Sequence, residues 1–237
     1  MYLERVSIRD GMLPLIFIAP HGFDDDFSGV IAMELAEQLN SYAVINNAWK
    51  RAANFDCSTS NANCNNITHL QNEVVKDEFL DPFLKFVDDA CAGHGECDIV
   101  VVHGFVGKRP DIIFGYGEGN PSSHTINKLD RRLMMYAAQH VGFDVAFGKA
   151  GSKFAGVARN NLNQYHKKWQ PAEHISSMQL EISKTRRIDD ATAKATAKQL
   201  FPAFDIYLAH KYGISGPRHL PTIPDNWEAW AKTIPGV

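Results

Sequence analysis

Short apolar runs that break at glycine or asparagine turns alternate along this chain with longer segments whose apolar residues recur every three or four positions. That alternation constrains the fold more than any other feature. Leu13–Ala19 reads as a buried strand ending in Pro20-His21-Gly22. Ala43–Ile45, Asp98–Val102, Asp111–Phe114, Asp144–Phe147 and Ser177–Ser183 read as further strands. Between them, Ser28–Leu39 carries Val30, Ile31, Met33, Leu35, Ala36 and Leu39 at helical spacing, with Ser28 as its expected cap. Asp77–Cys91, Thr125–Val141 and a segment starting at Asp189 are helical in pattern, and Gly142 stops the second of these. Strands that alternate with helices predict one α/β domain, a mostly parallel mixed sheet covered by helices on both faces. The expected domain spans residues 1–212, with a tail over 213–237, rich in proline and tryptophan, packed on it.

Composition narrows the function classes. With 45% apolar and 22% charged residues over 237 positions, the chain can build a core without disulfides or metals as staples. A net charge of −3 gives no overall attraction to nucleic acid. The most apolar run, Leu13–Pro20, is far shorter than the roughly 20 residues that cross a bilayer. The first residues lack a long apolar core with a small-residue cleavage site, so a cytoplasmic protein is expected. Cys57–Cys64 and Cys91–Cys97 do not have the CxxC spacing of a zinc ribbon; reduced thiols suit that compartment, and two local disulfides are the alternative in an oxidising one. Nothing in the pattern fixes an oligomeric state.

In open α/β sheets, ligands bind beyond the carboxyl ends of the strands. His21 and His103 both stand there, each followed by glycine, and Asp24, Asp25 and Asp26 follow His21 on the same loop. Two histidines and one carboxylate are the protein ligands of a hydrolytic zinc site, which keeps its fourth position for water. The alternative is that both histidines are hydrogen-bonded loop residues and the aspartates cap the helix at Ser28. On Ser177–Ser183, alternation places Gln179, Glu181 and Ser183 on one face and Met178, Leu180 and Ile182 on the other. Such a polar row belongs either to an edge strand or to a strand whose Glu181 faces a cleft, the former being the plainer reading. Between Gly151 and Arg187, seven basic residues stand against Glu173 and Glu181, a local field that favours a small anion. Arg159, among Asn160, Asn161 and Asn163, has the surroundings of a carboxylate grip. The chain has no GxSxG elbow and no phosphate loop.

In this order, IAPHG at 18–22, DIVVVHGF at 98–105, DIIFGYG at 111–117, AGVARNNLNQY at 155–165 and SMQLEISKTRR at 177–187 resemble the N-formylglutamate amidohydrolase family and the related poly-γ-glutamate hydrolases, kin of the zinc carboxypeptidases. The resemblance covers about residues 13–200. It implies one zinc ion held by His21, His103 and a carboxylate, with Glu181 as general base and Arg159, Asn161 and Tyr165 contacting substrate. An HxxE-like spacing selects Asp24 as the carboxylate; the longer spacing of the polyglutamate hydrolases selects Asp26. The Asn-Arg pair that grips substrate in many relatives is not evident, and Asn65–Asn66 stand near its place. The activity implied is hydrolysis of an amide in an acidic N-acyl amino acid or a glutamate-rich peptide. An inactive binder of an acidic ligand is the alternative from another class.

Overall fold

The structure, a computed structural model, describes residues 5–50 and 62–214. Its elements follow the order β1 (Val6–Arg9), β2 (Leu15–Ala19), α1 (Ser28–Leu39), β3 (Tyr42–Asn46), a single turn α2 (Glu73–Val75), α3 (Asp81–His94), β4 (Cys97–Phe105), β5 (Ile112–Gly115), α4 (Lys128–His140), β6 (Val145–Phe147), β7 (Ile175–Ser183) and α5 (Asp190–Tyr212). The seven strands form one sheet in the order β1-β3-β2-β4-β7-β5-β6. The pairs β2–β3, β2–β4, β4–β7 and β5–β6 are parallel; β1–β3 and β5–β7 are antiparallel.

Alternation along the strands divides the core in two. Leu15, Phe17, Val100, Val102, Met178, Leu180 and Ile182 face one way and pack on α1, α4 and α5. Ile16, Ile18, Val44, Ile99 and Val101 face the other way, against Phe79, Phe83 and Phe86 on and before α3. Helices thus cover both faces, and both β2 and β4 are apolar on each side, as buried parallel strands are.

Three expectations change, and one strand, β1, had none. The polar row does not mark an edge: β7 lies between β4 and β5, and Gln179 and Glu181 are buried. Ser28 is the first residue of α1 and not its cap; Phe27 precedes it at φ 60°, and no side chain caps the helix, the three aspartates included. The edge strand β1 is four half-buried or exposed residues, too short to show a period. Cys91 and Cys97 are joined in a disulfide across the α3–β4 connection, in place of the reduced thiols expected; such bonds persist in oxidising surroundings. Cys57 and nearly all of the proline-rich tail lie outside the described residues. No helix among the described residues is long and apolar enough to cross a membrane.

Candidate metal centre

The turn from β2 into α1 is tight. Gly22 N donates to Ala19 O (3.2 Å), and Asp24 N and Asp25 N both donate to His21 O (2.9 and 2.7 Å). A Cβ on Gly22 would meet Asn46 O at 2.7 Å, so only glycine lets the loop pass the end of β3 this closely. One helix-like turn then separates His21 from Asp25 and brings His21 Nδ1 within 3.4 Å of Asp25 Oδ2. From the end of β4, His103 Nδ1 reaches the same oxygen at 3.1 Å. The two imidazole centroids are 4.9 Å apart, and all three residues are buried.

His21, Asp25 and His103 are the group of potential metal ligands found among the described residues. Their spacing suits zinc. A tetrahedral ion with bonds of about 2.0–2.1 Å holds its donors about 3.3–3.4 Å apart. The His21 tautomer points the same way. Its Nε2 lies 2.7 Å from Asn63 Oδ1, an acceptor, so Nε2 carries the proton and donates it. The lone pair of Nδ1 then faces a carboxylate oxygen, and Nδ1 is buried with no hydrogen-bond partner among the described residues. Two acceptors turned toward each other in a buried place call for a cation between them. Burial would push the Asp25 carboxyl up, but the neighbouring imidazoles, His103 with its hydrogen bond first, outweigh it and hold it well below the usual carboxylate range. Gly104 N adds a further contact to Asp25 Oδ2 at 3.3 Å.

Glu181 stands beside this cluster. It is the register partner of His103 across the parallel β4–β7 pair, which places both side chains on one face of the sheet. Burial pushes its carboxyl up to about 8, and the Asp25 charge adds to the rise; Lys153 and Arg187 oppose it. Gln179, two residues back on the same face, donates Nε2–H to Glu181 Oε1 at 2.7 Å. The Oε1 of Gln179 accepts from Asn161 Nδ2 at 3.3 Å. The polar row of β7 is therefore a chain of contacts ending at Glu181 beneath the 160–165 loop. That loop is pinned from the other side by residues 65–67: Asn66 bridges Asn161, Leu162 N donates to Asn65 O (3.1 Å), and Ile67 N donates to Asn160 O (2.8 Å).

Of the residues nominated from sequence, the structure brings together His21, His103 and Glu181, with Asn161 one residue removed. It does not bring Asp24 or Asp26 into the cluster. Asp26 is 55% exposed and lies 3.5 Å from Lys184, while Asp25 occupies the ligand position between them. Tyr165 is buried against Phe83, its hydroxyl raised by burial and then by Asp81, so its surroundings are those of the core. Arg159 is exposed, and its carbonyl accepts from Trp169 Nε1 at 2.9 Å. Within the basic stretch, the half-buried Arg186 is paired with Asp111 at 2.7 Å and Arg187 is buried, so neither stands as a free surface charge as expected. Sequence reading missed Asn63, Gln179 and Arg187. The alternation of β7 already put Gln179 on the face of Glu181, a signal that was legible.

No family model matches the chain, and no curated protein matches it in sequence. Solved structures do match in fold. The N-formylglutamate amidohydrolase of Ralstonia eutropha JMP134 superposes with a TM-score of 0.59 at 13% identity, over 90% of this chain and 100% of that one. A bacteriophage poly-gamma-glutamate hydrolase gives 0.53 at 14% identity, over 87% and 90%. A putative carboxypeptidase of Burkholderia mallei gives 0.52 at 14%, over 86% of this chain and 60% of that one. The fold is thus that of the carboxypeptidase-like hydrolases, as the motifs led one to expect.

Proposed function

We propose that this chain is a zinc-dependent amidohydrolase that cleaves an amide bond in an acidic N-acyl amino acid of the N-formylglutamate kind. The observation that carries the reading is the convergence of His21 Nδ1, His103 Nδ1 and Asp25 Oδ2 at the carboxyl ends of β2 and β4, with Glu181 on the adjacent strand and the same face. Those three residues would hold one zinc ion. When bound, zinc supplies Lewis acidity and brings the pKa of water down from 15.7 to about 7.

The remaining chemistry belongs to the chain. Glu181, raised in the metal-free chain, would be ionised beside a bound cation; it then takes the proton of the attacking water and later delivers it to the leaving nitrogen. Gln179 holds one Glu181 oxygen, leaving the other for the proton. Asn63 fixes the His21 tautomer. Lys153, whose charge reaches Glu181, and Asn161 on the overlying loop supply polar contacts for a carboxylate-bearing substrate. Arg159, on the same loop as Asn161, extends that basic rim; Tyr165 supports the loop from below.

The test is a substrate screen of N-formyl-, N-acetyl- and N-succinyl-glutamate and poly-γ-glutamate, with zinc supplied. Turnover of an N-acyl glutamate, reduced at least about 100-fold by Glu181→Gln with zinc retained, is the expected result. Cleavage of poly-γ-glutamate alone would move the substrate to the polymer class. Zinc binding without hydrolysis of any of them, or no zinc binding at all, would refute the reading and favour a binder of acidic ligands.

A further inference from the structure

Three consecutive aspartates follow His21, yet only the middle one faces the imidazoles, and the loop sequence itself does not say why. The answer lies 162 residues away, at Arg187. Its side chain is 3% exposed, and the guanidinium is spread over four backbone carbonyls. Nη1 donates to Asp25 O (2.9 Å) and Asp26 O (2.8 Å), Nε to Ile182 O (3.0 Å), and Nη2 to Phe105 O (3.1 Å). The ligand loop is thereby tied to the ends of β4 and β7, the two strands that carry His103 and Glu181. A planar fork with five donors in fixed directions can do this; an ammonium cannot.

Gly104 is the other half of the device. A Cβ there would fall 2.2–2.4 Å from the guanidinium atoms of Arg187, so the arginine lies flat against a backbone cleared of side chain. With both the Asp25 and Asp26 carbonyls held, the peptide between them has one orientation. Successive side chains then diverge: Asp25 toward the histidines, Asp26 out toward Lys184 and solvent.

We propose that Arg187, seated on Gly104, is the positioning residue that selects Asp25 from the three aspartates as metal ligand and preforms the site. This rests on the zinc reading above and adds to it the residue that sets ligand identity. Outer groups that orient ligands typically change metal affinity 10–100-fold when removed.

The experiment strips the full chain of metal, titrates zinc against a chromophoric chelator, and records the visible spectrum of the cobalt(II) form. Arg187→Met should weaken zinc about 10–100-fold and alter the cobalt spectrum. Gly104→Ala, which keeps the charge and displaces the fork, should shift both readouts in the same direction. Asp26→Asn should be silent in the native background and cost further affinity beside Arg187→Met, where the freed loop offers Asp26 to the ion. Native affinity and spectrum in a folded Arg187→Met or Gly104→Ala protein would overturn the inference. Absence of that further loss would overturn the selection. Failure of both single variants to fold would overturn it as well, by making Arg187 a clamp for the whole fold. If the native chain takes up no zinc, the functional reading falls first; if it does and these variants match it, only this inference falls.

Discussion

Replacing Glu181 by glutamine separates what this residue does for the reaction from what it costs the fold. Glu181 is 7% exposed, and burial, with the Asp25 charge second, raises its carboxyl to about 8 from an ordinary 4.5. The folded state therefore holds this proton more tightly than the unfolded chain. Stability falls as pH rises from about 4.5 to about 8, by up to about 1.4 kcal/mol per unit. At pH 7 that amounts to about 3 kcal/mol as an upper bound. Glutamine keeps the volume and leaves an amide oxygen to accept from Gln179 Nε2, so little packing is lost. Zinc-free Glu181→Gln should be more stable than the zinc-free native chain by about 2–3 kcal/mol at pH 7, and by less than about 1 kcal/mol at pH 5. Urea unfolding of both proteins in chelator at the two pH values measures this, and the difference isolates Glu181 from the other titrating groups. The same variant loaded with zinc should lose at least about 100-fold in turnover. A stability difference independent of pH would refute the buried, strained carboxylate; unchanged turnover would remove Glu181 from the chemistry.

Other outcomes follow from the same structure. His103→Ala should abolish stoichiometric zinc, read by mass spectrometry of the metal; a full equivalent retained would exclude His103 as a ligand. Reducing the Cys91–Cys97 bond should cost about 2 kcal/mol, the loop-closure value for a ring this short, seen as a lower urea midpoint in reductant. Lys211→Met should cost about 3–5 kcal/mol. It strands the fully buried Asp98, which Lys211 holds at 2.8 Å alongside the hydroxyls of Tyr207 and Tyr212, and releases Asp130 at 3.1 Å. A change below about 1 kcal/mol in a denaturant melt would show that the cluster tolerates an uncompensated charge.

The strands and helices were legible because burial on both faces forces apolar runs into β2 and β4, and α1 shows its period residue by residue. The short edge strand β1 was not, since four residues at a sheet margin carry no period to read. The polar row on β7 could be seen, but its place could not. Strand order depends on crossovers, and only the seating of β7 between β4 and β5 turns Glu181 from an edge residue into a neighbour of His103. For the ligands, the strand ends marked the two histidines. The resemblance implied Asp24 or Asp26, whereas the turn that closes at Ser28 presents Asp25. What decides among the three is contact with the distant Arg187, which no local pattern encodes.

The account rests on one metal ion held by His21, Asp25 and His103. Its most direct test is the zinc stoichiometry of three single variants, Asp24→Asn, Asp25→Asn and Asp26→Asn, measured on protein reconstituted with one equivalent of zinc and dialysed. The account predicts that Asp24→Asn and Asp26→Asn keep the ion and that Asp25→Asn alone loses it. Retention by Asp25→Asn, or loss from either neighbour while Asp25 stays in place, would contradict it.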